Sequence, residues 1–589
     1  MNELGPRWTA HPEWADAFTE VDRFLVESLV RTAGRAREGV LPLTSKDDIG
    51  VSALLLLAKS LRLDHAALAL TPPHLEQLLR DQLLDASRDA FPSAAELSAV
   101  WVDRSSLLDA LVQRQPLDAT IEPVGPPLVV SLSGDAPRFC HIRRLALAEW
   151  RVATTLLAMH DTPDPSVLDL LADNASRDTS DSPAAAVAQS LASRRITVVT
   201  GGPGTGKTTA VGRVLADLGA LAQAHDQRVR VAVAAPTAKA AVRLRDAINQ
   251  QIGPVSDALE VSARSGSVHR LLGLRPDSDV PAVDILDDLL IVDEVSMMEL
   301  GILDALLAAC SPSTRILLVG DPDQLASVNV GAVLRDIVDA CDDGPLAGLV
   351  IRLTRNFRSD STVVRAASAI NAGDAAALLA VAGEEGALTI DNTRDAGLHE
   401  LAAHAAALHD AATSEQPLNA LDILTHMVVL CATRRGVGSV AWWRAQGTLS
   451  ESPTAPGTPL LVTRNEPSTL SGPLANGDVG VVIREGDTTL AVFGPREAPR
   501  QRASSQLVDV ESAWAITIHK SQGSEYDHVI VSLPDYDMPL LTRELLYTAV
   551  TRARRTVRLV GPPAVIDAAL SRRISRVSAL RERCAALTA

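Results

Sequence analysis

Aromatic side chains are scarce in this sequence, since phenylalanine, tryptophan and tyrosine together make up 3% of its 589 residues. A ligand-binding surface built mainly from stacked rings is therefore not expected. Cysteine is also rare, and no CxxC pair occurs among Cys140, Cys310, Cys341, Cys431 and Cys584. This wide spacing suggests neither a disulfide framework nor a cysteine-based zinc site, so we interpret the cysteines as reduced structural thiols.

An excess of basic residues is missing as well. The chain has 55 Lys and Arg against 72 Asp and Glu, which gives a formal charge of −17. A general basic coat for nucleic acid is thus excluded, and any such site has to be a local groove. The sequence opens without a basic-then-apolar signal pattern, and its longest leucine run, ALLLLAKSL from Ala53, is too short to span a membrane. We expect a cytoplasmic protein with no membrane partner.

The apolar pattern changes along the chain. Residues 1–118 have helical spacing, as in VDRFLVESLV, and predict a helical module. A segment with short β runs and a polar linker, 119–183, leads into alternating strand and helix patterns. The runs ITVVT, RVAVAAP, DLLIVDE and RILLVGD are each followed by helical periodicity, which is typical of a parallel sheet covered by helices. The predicted fold class is α/β.

One motif predicts a site for a nucleoside triphosphate. Gly201 to Thr208 match the pattern GxxxxGK[ST] between a predicted strand and a predicted helix. Backbone N–H groups of such a loop surround phosphates, Lys207 would reach the β and γ phosphates, and the Thr208 hydroxyl would bind Mg²⁺. The residues predicted to bind ATP here are Gly201, Gly202, Pro203, Gly204, Thr205, Gly206, Lys207, Thr208 and Thr209.

Carboxylates follow a second apolar run, as hydrolysis of the nucleotide requires. In DDLLIVDEVSMM, Asp293 would hold Mg²⁺ and Glu294 would polarise the attacking water. Gln324 of RILLVGDPDQL stands just past another strand end, where an amide could contact the γ-phosphate. Taken alone, Gln324 would be interpreted as a surface polar residue, but its place in this series favours the functional interpretation.

These segments form part of an ordered series over about residues 185 to 560: GGPGTGKTT, AAPTAKAAVRL, SVHRLLG, LLIVDEVSMM, VGDPDQLASVNVGAVLRD, LTRNFRS, TIHKSQGSEYD and LLYTAVTRAR. The series resembles the superfamily-1 helicases, and more closely the RecD subunits of RecBCD helicase–nucleases. The resemblance implies two RecA-like P-loop domains with ATP between them, at about 119–350 and 351–565. It further implies a helical N-terminal domain over 1–118, an SH3-like β-barrel insert at about 455–510 and a C-terminal helix over 566–589.

The resemblance also implies roles for single residues. Arg358 and Arg552 would reach the γ-phosphate from the second domain and stabilise the charge of the transferred phosphoryl group. Gly523 and Glu525 would face the ATP cleft. The residues implied to contact DNA are Pro236, Thr237, Lys239, His269, Thr517, His519, Lys520 and Ser521. For His269 and His519, an ordinary hydrogen-bonded histidine is the alternative interpretation.

The predicted function is that of an ATP-driven, 5′ to 3′ single-stranded DNA translocase and helicase subunit that acts on DNA ends. RecB-like and RecC-like chains are the implied partners, and ATP and Mg²⁺ the implied cofactors. No separate carboxylate–lysine cluster for a nuclease is recognisable, so cleavage would belong to a companion chain. One alternative is a free-standing helicase of the same branch, although the segment LRPDSDVPAVDIL is shorter than the pin-bearing insertion expected there. Another is a nucleotide-gated regulatory subunit with little hydrolysis.

Overall fold

The computed structural model describes residues 21–29 in part and residues 45–588 with internal gaps. The positions outside the described residues are 1–20, 23, 27, 30–44, 63–64, 83–90, 104–106, 161–166, 172–181, 253–257, 276–279, 327–330, 343, 345, 356–361, 385–386, 447–451, 453, 467–471, 505–506, 575 and 589. Among the helices that are described, none is both long enough and apolar enough to cross a membrane.

The amino-terminal unit combines helices with a small sheet. Its elements are α1 (Ser45–Arg62), β1 (Leu68–Ala69), α2 (Pro72–Gln82), α3 (Ala94–Val100), β2 (Val112–Pro116), β3 (Leu128–Ser133) and β4 (Ala136–Ile142). Leu54 and Leu57 of α1 are at most 1% exposed and share a core with Trp101 and the sheet. The strand order is β1-β4-β3-β2, so the sheet lies on both sides of the predicted boundary at residue 118.

A seven-stranded parallel sheet forms the centre of the first large domain, with strand order β11-β5-β10-β9-β6-β7 and β8 paired to β6. Its strands are β5 (Ile196–Thr200), β6 (Val229–Ala235), β7 (Leu259–Val261), β8 (Gly266–Ser267), β9 (Leu289–Val292), β10 (Arg315–Gly320) and β11 (Val350–Arg352). Two apolar cores, one on each face, bury β5, β9 and β10 along their whole length.

Helices cover both faces of this sheet, as the continuous apolar strands require. They are α4 (Arg143–His160), α5 (Pro183–Ser193), α6 (Lys207–Ala224), α7 (Ala238–Ile252), α8 (Val268–Leu271), α9 (Leu300–Ala309) and α10 (Val333–Asp342). The parallel arrangement brings the carboxyl ends of β5, β9 and β10 to one edge of the sheet.

The second large domain contains a five-stranded parallel sheet in the order β12-β21-β20-β13-β19. Its strands are β12 (Leu388–Asp391), β13 (Met427–Cys431), β19 (Ala515–Thr517), β20 (Tyr526–Ser532) and β21 (Ala553–Val560). Its helices are α11 (Thr362–Ala372), α12 (Ala375–Ala382), α13 (Asp395–Thr413), α14 (Asn419–Leu424), α15 (Val440–Arg444), α16 (Arg543–Val550) and α17 (Pro563–Ser571). The predicted α/β class with parallel sheets is confirmed.

An antiparallel unit, here called the insert, interrupts the second domain between α15 and β19. Its strands are β14 (Pro459–Val462), β15 (Val479–Glu485), β16 (Thr488–Phe493), β17 (Arg500–Ala503) and β18 (Val510–Ser512). They pair in the order β17-β16-β15-β14-β18. Phe493 and Val482 lie in a small core of the insert's own.

The carboxyl-terminal helix α18 (Leu580–Thr588) returns to the amino-terminal half of the chain. Leu580 and Cys584 join the core of the first large domain. Arg583 is fully buried; its Nη2 donates to Ser131 Oγ at 2.9 Å, and its Nε lies 3.5 Å from Glu149 Oε2. This helix therefore joins the amino-terminal sheet to α4 through a buried charge pair.

Candidate active site

The phosphate loop connects β5 to α6 at the carboxyl edge of the first sheet. Gly204 and Gly206 have φ values of 77° and 81°, a left-handed conformation that favours glycine. A Cβ on Gly201 would lie 2.6 Å from Thr205 Oγ1 and 2.8 Å from Leu353 O, so a side chain is excluded there. The loop thus curls tightly in front of the α6 N-terminus, where backbone N–H groups and the helix dipole favour an anion.

Lys207 begins α6 and turns back over this loop. Its ammonium donates to Gly202 O at 3.0 Å and also to Gly201 O. The Thr205 hydroxyl donates to Gly202 O at 2.8 Å and fixes the other side of the turn. A cation is therefore held at the mouth of the loop, where the outer phosphates of a bound nucleotide would lie.

Asp293 and Glu294 follow β9 and face the same space. The N–H of Glu294 donates to Asp293 Oδ1 at 2.8 Å, and Glu294 itself has a φ of 54°. Burial, followed by the charge of Glu294, raises the pKa of Asp293 to about 6. A buried carboxylate with a like charge beside it is a good ligand for a divalent cation, and the Thr208 side chain lines the same cleft. The donor set therefore fits Mg²⁺.

A hydrogen-bonded chain links the two large domains at this edge. Arg552 donates from Nη2 to Gln324 Oε1 at 3.0 Å, and Gln324 donates from Nε2 to Asp321 Oδ2 at 3.1 Å. The Tyr547 hydroxyl donates to the same Asp321 oxygen at 3.0 Å. Asp321 and Gln324 belong to the first domain, and Arg552 and Tyr547 belong to the second. Two hydrogen bonds of this network therefore join the domains.

These groups enclose a cleft of about 570 Å³. The predicted residues that line it are Gly202, Pro203, Gly204, Thr205, Gly206, Lys207, Thr208, Thr209, Asp293, Glu294, Gln324, Gly523, Glu525 and Arg552. Gly201 lies directly behind them at the start of the loop. Arg358 is outside the described residues, so its predicted place across the cleft is not observed.

Sequence analysis missed three residues of this site. Asp321 is 2% exposed, and burial raises its pKa. Tyr547 approaches the phosphate loop, since its hydroxyl would lie 3.0 Å from a Cβ on Gly202. Arg243 of α7 donates to Gly523 O and lies 4.0 Å from Glu525. Asp321 and Tyr547 stand inside recognised motifs, but only the fold reveals that they meet.

The loop between β19 and β20 carries the second group of predicted residues. Thr517 accepts from the Lys520 N–H at 3.4 Å, and the buried Ser521 hydroxyl donates to Ile518 O at 2.7 Å. The Gln522 amide donates to Leu325 O of the first domain at 3.3 Å. The Ser521 side chain therefore stabilises the loop from inside and does not reach the surface in this conformation.

The remaining predicted DNA contacts have different surroundings. His269 is exposed on α8, and Lys520 forms an ion pair with Glu511. Burial, followed by the charges of Arg434 and Arg576, lowers the pKa of His519.

Three predicted contacts of the first domain follow β6. Pro236 and Thr237 are half-buried, and the Thr237 hydroxyl accepts from the Ala240 N–H at 3.2 Å. Lys239 points towards the second domain and the insert, where it donates to Ser524 Oγ at 2.6 Å and to Gly477 O at 2.8 Å.

Comparisons with known proteins agree with this geometry. The family described as AAA domain matches residues 179–393, and the family described as UvrD-like helicase C-terminal domain matches residues 512–560. RecBCD enzyme subunit RecD of Mycolicibacterium smegmatis is 40% identical over 82% of this chain and 87% of that protein. RecD of Mycobacterium tuberculosis is 42% identical, over 66% of this chain and 71% of that protein.

More distant similarities involve separately named helicases. The ATP-dependent RecD2 DNA helicase of Deinococcus radiodurans is 32% identical over 68% of this chain and 52% of that protein. A crystal structure of Pif1 helicase from Bacteroides with ADP-AlF3 and single-stranded DNA is 18% identical, with a TM-score of 0.34, and covers 62% of this chain and 88% of that chain.

A phosphate loop and paired carboxylates in one domain, faced by an arginine from the next, are typical of an ATP-driven motor. At 40% identity over most of its length, the chain belongs to the RecD family of ATP-driven DNA helicases. The predicted resemblance is thereby confirmed.

Proposed function

We propose that this chain is the 5′ to 3′ single-stranded DNA translocase and helicase subunit of a RecBCD-type complex, which processes double-stranded DNA ends for recombinational repair. The observation that carries the proposal is the hydrogen bond from Arg552 of the second domain to Gln324 of the first, inside the cleft that holds the phosphate loop. Nucleotide binding in such a cleft changes the position of one domain relative to the other, and a translocating motor requires such a movement. We further propose that it acts in the cytoplasm, where its DNA substrate would be.

In the proposed reaction, Lys207 and the loop N–H groups bind the phosphates of ATP. Glu294 polarises the attacking water, and Gln324 contacts the γ-phosphate. Arg552 stabilises the negative charge that develops on the transferred group, and Arg358 has the same proposed role. Thr208 and Asp293 would hold Mg²⁺, which when bound would neutralise part of the negative charge of the phosphates.

The proposed DNA path runs along the carboxyl edges of both sheets. Pro236 and Thr237 follow β6, His269 follows β8, and His519 and Lys520 follow β19. The loop from Thr517 to Glu525 supports this path, because its later residues Gly523 and Glu525 line the nucleotide cleft. We propose that Thr517 and Ser521 shape this loop, so that one segment responds to both ligands.

The proposed architecture assigns each unit a task. The two parallel-sheet domains are RecA-like, and the insert is an SH3-like barrel. The amino-terminal unit, which we extend to Ile142 because its sheet ends there, and α18 would bind the RecB-like and RecC-like chains. The charge of −17 fits a subunit whose DNA path is completed by partners.

The test is to tag this chain in its native host and measure the mass and composition of what purifies with it. We expect an equimolar assembly with two larger chains. A lone chain of about 62 kDa that unwinds 5′-tailed duplex would replace this proposal with the free-standing helicase. Strand displacement by the purified chain on 5′-tailed and 3′-tailed duplexes tests the direction, and displacement of the 3′-tailed substrate alone would contradict it.

A further inference from the structure

Lys239 lies where the first domain, the second domain and the insert meet. It stands in the first turn of α7, and its ammonium donates to Ser524 Oγ at 2.6 Å and to Gly477 O at 2.8 Å. The two acceptors are 285 and 238 residues away along the chain. Hydrogen bonds from a charged donor are stronger than those between two neutral groups. Because the acceptors lie in the second domain and the insert, this contact constrains three units at once.

The Ser524 side of this contact belongs to the nucleotide cleft. Ser524 stands between Gly523 and Glu525, both of which line the cleft. Its backbone oxygen accepts from Arg552 Nη1 at 3.4 Å. A movement of Arg552 towards the γ-phosphate would therefore displace Ser524, which Lys239 also contacts.

The Gly477 side belongs to the insert. Gly477 has a φ of 91°, and its N–H donates to Val462 O of β14 at 2.8 Å. Asp478, the next residue, accepts from the Ala475 N–H at 2.9 Å and forms a 2.8 Å ion pair with Arg500 of β17. The turn that Lys239 contacts is thus fixed to two strands of the insert, and a displacement of the turn would carry the insert with it.

We propose that Lys239 is a positioning residue that couples the nucleotide cleft to the insert, by holding Ser524 and Gly477 on one ammonium group. The inference rests on the proposed function, because coupling has a consequence only in a motor that moves on DNA. Lys239 acts through Ser524 and Gly477, so its loss uncouples hydrolysis from unwinding more than it slows hydrolysis.

The charge of Lys239 gives the coupling a pH signature. Burial lowers the pKa of Lys239 to about 8, the Asp478 carboxylate opposes this by raising it, and Arg243 on the same helix lowers it further. The ammonium therefore predominates near pH 7 and is lost as the pH rises through about 8. A neutral amine is a weaker donor, so the coupling weakens in the same pH interval.

The experiment measures base pairs displaced per ATP hydrolysed, at saturating DNA, with the chain in the assembly in which it purifies. Lys239→Met should lower this ratio at least about fivefold, which is the lower end of the factors by which coupled sites typically affect each other. Arg245→Ala is the matched control, since Arg245 is exposed on the same helix, and its ratio should equal that of the wild type. Between pH 7 and 9 the wild-type ratio should fall, whereas that of Lys239→Met should stay flat.

Two further variants keep the test decisive if Lys239→Met folds poorly. Lys239→Gln retains one amide donor and should give an intermediate ratio. Ser524→Ala leaves Lys239 in place but removes its Ser524 Oγ acceptor, so it should also lower the ratio, and by no more than Lys239→Met does.

Three results would overturn the inference. One is an unchanged ratio in Lys239→Met. Another is a wild-type ratio that does not vary with pH. The third is a loss confined to DNA affinity, with a smaller salt dependence, which would make Lys239 a phosphate contact. If the wild-type assembly itself shows no DNA-stimulated hydrolysis, the proposed function fails instead.

Discussion

Arg552 of the second domain donates to Gln324 of the first at 3.0 Å, and neither side chain is more than 7% exposed. The same guanidinium donates from Nε to Thr548 O at 3.1 Å, which fixes its direction. The cleft therefore contains a cation that is oriented before any nucleotide binds. Groups that are positioned in advance lower the cost of stabilising charge in a transition state.

Arg552→Ala should retain nucleotide binding and lose hydrolysis. Arginines that contact a transferred phosphoryl group contribute about 10³ to 10⁵ in rate, so we expect a loss of that order in kcat. Single-turnover hydrolysis and binding of a fluorescent ATP analogue measure the two effects separately. Arg554→Ala is the control, because Arg554 is half-exposed and pairs with Glu525 at the cleft rim. A collapse of ATP affinity with unchanged turnover per bound ATP would contradict the assigned role.

Tyr547→Phe should weaken the link between the domains. The change removes the 3.0 Å hydrogen bond to Asp321 and leaves a buried carboxylate with one donor fewer, at a cost of about 1–3 kcal/mol. We expect lower thermal stability and a kcat reduced roughly tenfold. Tyr536→Phe, at a position that is 60% exposed, should change neither quantity. Wild-type turnover in Tyr547→Phe would show that the Asp321 contact has no part in hydrolysis.

Binding of nucleotide with Mg²⁺ should weaken as the pH falls through about 6. Burial and Glu294 raise the pKa of Asp293 to about 6, and only the ionised carboxylate can bind a cation. Below that pH we expect the Mg²⁺-dependent affinity for ADP to fall about tenfold per pH unit, since one proton competes with the metal. Titrations of ADP with and without Mg²⁺ between pH 5 and 8 measure this. A midpoint near pH 4 would mean that Asp293 does not bind the cation.

Arg583→Met should destabilise the whole chain. Burial raises the pKa of Glu149, but His141 and Arg583 outweigh it and hold this pKa at about 2, so Glu149 is ionised when buried. Loss of Arg583 leaves that charge poorly compensated, which typically costs 3–5 kcal/mol. Urea unfolding measures the loss, and Arg581→Met on the exposed side of the same helix should show little change. Equal stability of the two variants would show that α18 is not held by this pair.

The phosphate loop and the carboxylates could be predicted from sequence because their positions follow from local rules. A glycine-rich turn between a strand and a helix has one common geometry, and parallel strands bring their carboxyl ends to one edge. The positions of Lys207, Asp293 and Glu294 in one cleft follow from those rules alone.

Other features could not be predicted because they depend on packing between distant segments. Tyr547 meets Asp321 across 226 residues, and Lys239 meets Gly477 across 238. In the amino-terminal sheet, β3 and β4 lie in the segment predicted to contain short β runs, but β1 and β2 were missed, because β1 has two residues and β2, VQRQP, lacks an apolar alternation. Similarly, nothing in SRRISRVSALRER indicates that Arg583 is buried against Glu149.

The most direct measurement is steady-state ATP hydrolysis by the purified protein, with and without single-stranded DNA, in the wild type and in Lys207→Ala. We expect DNA to raise the wild-type rate, and Lys207→Ala to fold normally while losing at least about 10²-fold of that rate. Hydrolysis that DNA does not change would favour a regulatory subunit that binds DNA without working on it. Equal hydrolysis in both proteins would contradict the assignment of the cleft as the ATPase site.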